Sequence, residues 1–462
     1  MIDIRKDRGS FRDPRGSVYI ARDHVYRTVM PRAATDFDAV RSTAAWEELL
    51  RKQWVLPEDK VDPEVLGDTG KGAIYVLEHP KLPYISYPYE WSFPLLKAAA
   101  LLHLDVHLLA LKDNVTLTDA SAYNIQFQGP NPVFIDHLSF RPYHQGEFWI
   151  GHRQFCEQFL NPLLLRSVLG VPANNWYRGA QEGVDVSEIN RLIPWRKKLS
   201  WKMLSHVSLQ ARFQQASIDN SKKNNVIGKR KLPKEAFIQM LSSLRSWILK
   251  MEPADTGKTV WVDYAETHSY TDQEVAVKKQ FVHDFVHAGI RTVWDIGCNT
   301  GDYTKVVIRA GVDRVIGFDA DQKALELAYE RACSNELPFL PLFLDAANPS
   351  PMQGWAETER MGFSDRSSPD AIIALALVHH LAIGRNIPLD QVVSWLVGLS
   401  RSGIIEFIPK NDAMVQKLLC LREDVFDDYN EDYFLKSLQS RARITRTKVV
   451  SASGRRLVCY ER

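Results

Sequence analysis

Cysteine is scarce in the 462-residue sequence, and its arrangement limits the classes of protein that fit. The five cysteines are odd in number and include no CxxC pair. This argues against a disulfide framework and against a structural zinc site, and it favours a reducing compartment. The first residues lack the apolar core of a secretion signal, and the apolar runs look too short or too interrupted to span a bilayer. We therefore expect a soluble, cytoplasmic protein.

An excess of charge of one sign is also missing. The formal net charge is +2, which gives no global argument for nucleic acid or for acidic partners. Two short basic runs, residues 196–198 and 229–231, are more typical of solvated helix ends or loops than of a binding patch. The sequence contains no internal repeat, and its length predicts two or three domains.

Hydrophobic periodicity divides the chain into three predicted domains. Residues 1–145 alternate strands with helices, including a helix over residues 34–51 and a hairpin over 124–136. Residues 146–285 show mostly helical periodicity and are predicted to form a helical connector that shapes a substrate region. Residues 286–462 return to strand–helix alternation, which is typical of an α/β fold.

The last of these segments contains seven predicted strands. Five strands separated by helices precede a terminal hairpin, which predicts a mixed sheet that ends in antiparallel strands. The predicted strands are residues 292–296, 314–318, 341–344, 371–375, 403–407, 443–450 and 455–460.

The stretch Thr-Val-Trp-Asp-Ile-Gly-Cys-Asn-Thr-Gly at residues 292–301 carries the strongest functional signal. A buried strand runs into a glycine-rich turn, and a helix starts near Asp302. Such a turn opens a nucleotide-binding crevice in an α/β sheet. Gly297 and Gly301 remove side chains where the backbone approaches a ligand. The next predicted strand leads to Asp319, whose carboxylate can accept both hydroxyls of a ribose.

Four motifs in residues 286–462 together resemble a class I S-adenosylmethionine-dependent methyltransferase. They are the acid with spaced glycines at 295–301, the ribose-binding Asp319, the acid Asp345 that meets the adenine amino group, and the stretch 375–381. Asn299 departs from the family pattern, which often has a second glycine there. The resemblance implies S-adenosylmethionine as cofactor and a Rossmann-like seven-stranded sheet. It assigns cofactor binding to Asp295, Gly297, Cys298, Asn299, Gly301, Asp319, Ala320, Asp345, Ala346 and Leu377.

A dinucleotide-binding Rossmann domain is the competing interpretation of the same turn. That domain expects the spacing GxGxxG and rests a pyrophosphate on the N-terminus of the following helix. The helix predicted here begins with Asp302, whose carboxylate would repel phosphate. S-adenosylmethionine has no phosphate and carries a positive sulfonium, so the sequence favours the methyl donor.

Methyl transfer to a hydroxyl needs an aligned acceptor and a sink for the acceptor's proton. His379 and His380 follow the fourth predicted strand, and an imidazole titrates near neutrality. Either histidine is a candidate general base; alternatively, both only hold the loop by hydrogen bonds. Glu406, at the end of the fifth predicted strand, is either a further pocket carboxylate or an inert acid at the edge of the sheet.

Aromatic residues upstream of the first motif form another candidate element. In the methyltransferase family such residues often cover the cofactor, whereas packing alone would make them a satellite core. They are Trp261, Tyr264 and Tyr270, with His268 between them and Lys278 and Lys279 following.

A second resemblance lies in residues 1–145. The spacing from Asp119 to Asn124, followed by a hairpin and Asp136, is similar to the catalytic and metal-binding segments of kinase-like phosphotransferases. It implies that Asp119 is the base and that Asn124 and Asp136 bind magnesium if the site is active. Leu-Thr replaces His-Arg before Asp119, His-Leu replaces Phe-Gly after Asp136, and only Arg27 loosely substitutes for the expected lysine. We therefore predict a degenerate kinase-like domain, with recognition of the acceptor as an alternative role.

The order of these parts resembles a bacterial group of large methyltransferases that includes rhizobial nodulation methyltransferase-like proteins. Residues 86–93 and 119–127 carry this likeness, which extends over nearly the whole chain. It implies a small-molecule or glycan acceptor, and our leading hypothesis is that the acceptor is methylated on oxygen. Two alternatives stay open: a bifunctional kinase–methyltransferase that uses ATP and magnesium, and a cofactor-binding regulatory protein without turnover. DNA is disfavoured as acceptor, because residues 375–381 lack the Asn/Asp-Pro-Pro-Tyr/Phe signature of amino methylation on bases.

Overall fold

The computed structural model describes residues 4–198, 201–203, 206–207, 231–255, 271–287, 289–420 and 422–462. Packing divides the chain into two compact units. The first comprises Met1–Phe127, Asn131–Thr256 and Met352–Met361, and the second comprises Gln128–Pro130, Gly257–Pro351 and Gly362–Arg462. The three-domain division at residues 145 and 285 stays a prediction, because packing does not test which segments fold independently.

The first unit begins with a five-stranded antiparallel sheet. Two helices, α1 (Pro31–Arg41) and α2 (Ala44–Arg51), connect its third strand to its fourth. The strand order is β1-β2-β3-β5-β4. The strands are β1 (Arg5–Lys6), β2 (Val18–Ile20), β3 (His24–Val29), β4 (Asp59–Val61) and β5 (Tyr75–Pro80).

The single helix predicted over residues 34–51 is two helices, so that prediction is wrong. Thr43 between them has extended backbone, and its hydroxyl accepts a hydrogen bond from the backbone N–H of Trp46. A threonine that caps a helix in this way starts a new helix rather than continuing the old one. Apolar periodicity continues through the break, which is why the sequence pattern did not reveal it.

Helix α3 (Phe93–Lys112) is the long apolar element of the first unit. Leu95, Ala99, Leu104 and Val106 on it are completely buried. Among the described residues it is the one helix long and apolar enough to cross a membrane, so the expectation that no apolar run reaches this length is wrong. Within the unit, 61% of its most apolar window is buried, and a core helix has the same composition.

Short strands and further helices complete the first unit. β6 (Val115–Leu117) pairs with β9 (Phe140–Pro142), and β7 (Ile125–Gln128) pairs with β8 (Asn131–Phe134), as the predicted hairpin requires. The helices that follow are α4 (His152–Phe155), a π-helical stretch Cys156–Leu160, α5 (Asn161–Leu169), α6 (Asn174–Gly179), α7 (Val186–Leu192), α8 (Trp195–Lys198), α9 (Trp201–Met203) and α10 (Lys234–Leu249). Of the basic run at residues 229–231, only Lys231 is described.

The second unit is built on a seven-stranded mixed sheet with the order β12-β11-β10-β13-β14-β16-β15. Strands β10 to β14 are parallel, and β16 lies antiparallel between β14 and β15. The α/β class and the terminal antiparallel strands are confirmed. The strands are β10 (Thr292–Ile296), β11 (Arg314–Asp319), β12 (Phe339–Phe343), β13 (Ala371–Ala374), β14 (Ser402–Phe407), β15 (Arg443–Val449) and β16 (Arg456–Glu461).

The order in which the chain forms the parallel strands determines where this sheet can bind a ligand. From β10 the chain proceeds outward to β11 and β12, then returns to the other side of β10 to form β13 and β14. The crevice at such a reversal, outside the carboxyl ends of the strands, is where open α/β sheets bind ligands. The helices of this unit are α11 (Asp272–His283), α12 (Asp302–Arg309), α13 (Gln322–Ser334), α14 (Val378–Ala382), α15 (Leu389–Leu399), α16 (Ala413–Leu419) and α17 (Glu431–Gln439).

Candidate cofactor site

A cavity of about 500 Å³ opens at the carboxyl ends of the central parallel strands of the second unit. Residues that end or follow β10, β11, β12 and β13 form most of its wall, and helix α11 contributes Val275, Lys278 and Lys279. Its volume lies in the range of sites that enclose a cofactor-sized ligand, about 300–1,000 Å³. The strand reversal therefore produces a real concavity at the place predicted for the cofactor.

Nine of the ten residues predicted to bind the cofactor lie on the wall of this cavity, and the exception is Gly301. Because these residues come from four separate strand ends, the sheet and not local sequence brings them together. The nine are Asp295, Gly297, Cys298, Asn299, Asp319, Ala320, Asp345, Ala346 and Leu377.

The turn after β10 is tied to the end of β11. The backbone N–H groups of Gly297 and Cys298 both donate to the carbonyl of Phe318, at 2.7 and 3.0 Å. The N–H of Asn299 donates to the carboxylate of Asp319 at 2.8 Å. Asn299 has a φ of +47°, a left-handed conformation that asparagine tolerates better than most residues. The departure from the glycine-rich pattern is therefore compatible with the same turn.

Gly301 does not line the cavity, and its surroundings give other reasons for a glycine. Its φ is +82°, and a Cβ there would lie only 2.7 Å from a ring carbon of Phe339 in the core. The positive φ and the packing against Phe339 therefore both favour glycine here. At Gly297, by contrast, a Cβ would meet nothing nearer than Leu377 at 3.7 Å, so the φ of +85° is the requirement.

Two carboxylates at the turn have raised pKa values. Burial and the nearby charge of Asp319 raise the pKa of Asp295 to about 7, although the hydroxyl of Thr304 donates to it at 2.6 Å. Burial raises the pKa of Asp319 to about 6, opposed by backbone N–H groups of Asn299 and Asp321 that donate to its two oxygens at 2.8 Å. A bound cation would favour the ionised form of both acids.

The charge of the wall fits a positively charged ligand. Five aspartates line the cavity, against three basic side chains: Lys278, Lys279 and Arg385. Of the five, Asp302 forms an ion pair with Arg331 at 2.5 Å, and Asp345 lies 3.5 Å from Arg385. S-adenosylmethionine carries a sulfonium and an ammonium, so the residues present fit it. The five are Asp295, Asp302, Asp319, Asp321 and Asp345.

The two adjacent histidines have different positions. His380 lies on the cavity wall, and burial lowers its pKa to about 4, so its ring is neutral at pH 7. His379 is completely buried and is not part of the wall. Among the described residues neither of its ring nitrogens has a hydrogen-bond partner, and burial holds its pKa well below the usual range. The geometry therefore offers one imidazole, not two, to a ligand.

Glu406 is completely buried behind the wall. The ammonium of Lys278 and the backbone N–H of Ala376 donate to the same carboxylate oxygen, at 2.8 and 2.7 Å. Ala376 has a φ of +51°, which is strained for a residue other than glycine. Glu406 thus holds a strained residue of the wall in place and neutralises Lys278, whose pKa burial lowers.

Several wall residues were not predicted to bind the cofactor, chiefly because they are apolar or lie on helices. Tyr303 follows Asp302 on α12, and its ring lies 4.8 Å from the ammonium of Lys278. Leu418 comes from helix α16, far along the chain from the motifs. A lysine on a helix face that is otherwise apolar, as at Lys278, is a signal that could have been noticed. The aromatic residues Trp261, Tyr264 and Tyr270, with His268, lie outside the described residues.

In the first unit, the kinase-like residues lie near one another. The side-chain amide of Asn124 donates to Asp119 at 3.2 Å, and Arg27 on β3 donates to Asp136 at 3.3 Å and to Asp13 at 2.6 Å. Burial and the charge of Asp136 raise the pKa of Asp119. Asp119, Asn124 and Asp136 therefore lie close together, but the carboxylate of Asp136 is already ion-paired with Arg27.

Comparison with known proteins identifies the class. A model of the methyltransferase domain matches residues 294–392, which run from β10 to α15 and include the glycine-rich turn, Asp319 and Asp345. With the sheet order and the acidic cavity, this shows that the chain is an S-adenosylmethionine-dependent methyltransferase.

The family follows from a relative of nearly the same length. The chain is 45% identical over 458 residues to nodulation protein NoeA of Rhizobium meliloti (strain 1021), covering 98% of this chain and 95% of the relative. The chain therefore belongs to the NoeA family. It is also 23% identical over 129 residues to ribosomal protein L11 methyltransferase of Thermotoga maritima, covering 24% of this chain and 48% of that one.

Two solved structures are similar to part of the chain. Magnesium protoporphyrin IX methyltransferase from Synechocystis PCC 6803 is 21% identical with a TM-score of 0.29, covering 41% of this chain and 82% of that one. N-methyltransferase NodS from Bradyrhizobium japonicum WM9 is 12% identical with a TM-score of 0.31, covering 41% of this chain and 97% of that one.

Proposed function

We propose that the chain transfers a methyl group from S-adenosylmethionine to a hydroxyl of a small-molecule or glycan acceptor, in the cytoplasm. The observation that carries the choice of oxygen is His380, a neutral imidazole on the wall of the cofactor cavity. A hydroxyl must lose its proton as the new bond to carbon forms, and a neutral imidazole can accept that proton. The likeness to a nodulation protein supports a specialised acceptor.

Each acid on the wall has a separate role in this proposal. When bound, S-adenosylmethionine supplies an electrophilic methyl group on a positive sulfonium. Asp319, at the end of β11, accepts the ribose hydroxyls, while Asp345 faces the adenine amino group. Asp295 accepts from the methionine ammonium and keeps the turn in place through Thr304. The turn residues and Leu377 orient the ligand by close packing, which aligns the methyl group with the acceptor.

The roles of the other two catalytic candidates are positioning roles in this proposal. His379 packs beneath the wall, with its ring centroid 3.9 Å from that of His380, and therefore supports the orientation of His380. Glu406 is engaged by Lys278 and Ala376, so it keeps the wall in shape rather than receiving the acceptor's proton.

Acceptor screening with radiolabelled S-adenosylmethionine, followed by mass spectrometry of the labelled product, tests the proposal. Once an acceptor is found, the turnover rate of His380→Ala should fall about a hundredfold or more, the usual contribution of a general base. His379→Ala is the neighbouring control, and its pH profile should keep the shape of the wild-type profile. A product methylated on nitrogen, or full activity of His380→Ala, would contradict O-methylation with His380 as base.

The second candidate is a kinase-like fold in the first unit, with ATP and magnesium as ligands. A small antiparallel sheet with helices after its third strand, followed by the compact set of Asp119, Asn124 and Asp136, supports this proposal. The ion pair between Arg27 and Asp136 favours a degenerate site. Calorimetry of ATP with magnesium against the wild type and Asp136→Ala separates the two functions. No binding heat, with unchanged methylation in the variant, eliminates the kinase.

A cofactor-binding regulatory protein is the remaining alternative. It shares the cavity and its acids but requires no acceptor. Any catalytic turnover of S-adenosylmethionine to S-adenosylhomocysteine with a defined acceptor would exclude it, whereas tight binding without turnover across a broad acceptor screen would favour it.

A further inference from the structure

A cluster of three metal-ligating side chains lies in the first unit, outside the methyltransferase site. The ring nitrogens His152 Nε2 and His206 Nδ1 are 3.0 Å apart, and Cys156 Sγ lies 3.7 Å from His152 Nε2. All three ligand atoms lie within 4.8 Å of one another. Cys156 and His206 are buried, and His152 is partly exposed.

The local sequence places two of the ligands on one face of a helix. His152 and Cys156 are four residues apart, which brings their side chains together in a helical segment. Cys156 is also the first residue of the π-helical stretch, a feature that is frequent at functional sites. His206 comes from a distant part of the sequence, so no compact motif would have revealed the group.

Two of the three distances between ligand atoms are close to those of a tetrahedral metal site. Metal–nitrogen bonds of about 2.0–2.1 Å and metal–sulfur bonds of about 2.3 Å put two nitrogens about 3.3 Å apart and a nitrogen and sulfur about 3.6 Å apart. The distances of 3.0 and 3.7 Å differ from these values by a few tenths of an ångström. The third pair, Cys156 Sγ and His206 Nδ1, lies within 4.8 Å, so binding one ion requires the side chains to rotate toward a common centre.

We propose that His152, Cys156 and His206 bind one zinc-type divalent transition-metal ion, with a water molecule in the fourth position. Two imidazoles and a thiolate are a ligand set that zinc accepts, and the partial exposure of His152 leaves a path for the water. Binding releases the thiol proton to solvent. It also replaces the hydrogen bond between the histidines, so the shared proton moves to the other nitrogen of one ring.

The protonation of the histidines does not oppose binding. Burial lowers the pKa of His152 to about 3 and that of His206 to about 4, so both rings are neutral at pH 7 and have lone pairs available. Burial raises the pKa of the Cys156 thiol, which a bound cation would reverse. The absence of CxxC pairs argued against a structural zinc, but that absence concerns pairs of cysteines and not a single cysteine with two histidines.

A second cluster of possible metal ligands in the same unit is unsuited to a metal ion, because an arginine contacts it. Glu58, His79 and His137 also bring three ligand atoms together. However, the guanidinium of Arg41 makes two hydrogen bonds of 2.9 Å to Glu58 and contacts His137 at 3.1 Å. A permanent cation in that position would repel a metal ion.

The ion would stabilise the segment that holds the loop after Asp119. Gln154 and Gln158 lie on the same helical segment as His152 and Cys156. Their side-chain oxygens accept the backbone N–H groups of Ala120 and Ala122, at 2.9 and 2.8 Å. A metal that joins this segment to His206 therefore fixes the loop indirectly.

Cobalt substitution of the full chain tests the proposal. The protein is treated with a chelator, freed of it, and titrated with Co²⁺ in the absence of thiol reagents. We expect one equivalent to bind and to give the near-ultraviolet absorption of a thiolate–cobalt bond, which one equivalent of Zn²⁺ then abolishes. Cys156→Ser should lose this absorption. The matched control Cys420→Ser removes an exposed thiol and should keep it.

Measurements on the wild type decide the matter even if Cys156→Ser does not fold. Metal content is measured on the purified protein after reconstitution with Zn²⁺, and melting is compared with and without chelator. One retained equivalent and a lower melting temperature with chelator support the site. No stoichiometric binding by the wild type, or thiolate–cobalt absorption that persists in folded Cys156→Ser, would overturn it and leave a hydrogen-bonded pair of neutral histidines.

Discussion

The buried ion pair between Lys278 and Glu406 gives the most direct test of how the wall of the cofactor cavity is stabilised. Only 3% of the lysine side chain and none of the glutamate side chain is exposed. Replacing Glu406 with glutamine keeps the size of the side chain and an oxygen that can still accept the N–H of Ala376. It removes the charge that neutralises Lys278, so the variant isolates the electrostatic part of the interaction.

The expected cost follows from the burial of the remaining charge. Removing one member of a buried pair destabilises proteins by about 3–5 kcal/mol, because the other charge stays desolvated without a partner. Since each 1.4 kcal/mol is a factor of ten, local opening should become about a hundred- to several thousandfold more frequent. Replacing Lys278 with methionine in the same protein removes the uncompensated positive charge. The double variant should therefore recover most of the lost opening free energy.

Hydrogen exchange followed by mass spectrometry is the suitable assay, because a chain with two compact units need not unfold in one step. Peptides that cover β13 and β14 report the local opening free energy next to the pair. Glu461→Gln on β16 is the matched control: its partner Arg443 is 76% exposed and Glu461 is 49% exposed, so the change should be at most about 1 kcal/mol.

Two experimental results would contradict this prediction. If Glu406→Gln exchanges at the rate of Glu461→Gln, the pair does not stabilise this part of the sheet. If the single variant is destabilised but the double variant is destabilised further, the cost arises from lost packing and not from a stranded charge. Either result would refute the reasoning from desolvation.

Two further predictions concern the acids of the turn. In calorimetry, Asp319→Ala should weaken binding of S-adenosylhomocysteine at least tenfold, or about 1.4 kcal/mol, whereas the exposed Asp313→Ala should not, and equal affinities would remove Asp319 from the site. Asp295 has a pKa of about 7 in the fold against a usual 3.8, so the folded state keeps its proton to higher pH. The opening free energy of β10, measured by exchange without cofactor, should therefore fall as pH rises from about 4 to about 7. Asp295→Asn should make that decline shallower, leaving the part below about pH 6 to which Asp319 contributes, and an unchanged slope would contradict the raised pKa of Asp295.

Much of the second unit could be predicted because local and long-range signals agree there. Each parallel strand is a short apolar run, and each functional acid lies at or just beyond the carboxyl end of a strand, so the sheet must gather Asp295, Asp319 and Asp345 at one edge. Strand ends shifted by one or two residues, as in β12, did not matter, since the acids still lie at the same edge of the sheet. The class of enzyme and its cofactor were available from these residues alone.

The sequence could not show the role of a residue whose packing or hydrogen-bond partner lies far away along the chain. Gly301 is required by Phe339, and nothing near Gly301 in the sequence indicates that contact. Glu406 has the same local pattern as an exposed acid at the end of a strand. In the fold it is a buried residue paired with Lys278, which lies on a helix before the first motif. Patterns within one element predict which face is buried, but they do not identify the side chain that meets it.

The two histidines after β13 show why a correct motif can still leave the reactive group ambiguous. The chain enters helix α14 at Val378, so His379 and His380 are consecutive residues of one helical turn. Consecutive side chains on a helix point about 100° apart, because 3.6 residues complete a turn. The two rings therefore point in different directions, and the start of the helix decides which of them reaches the wall. A shift of that start by one residue would bring His379 to the position that His380 now has, so the choice of His380 depends on the register of α14 and could not be read from the pair itself.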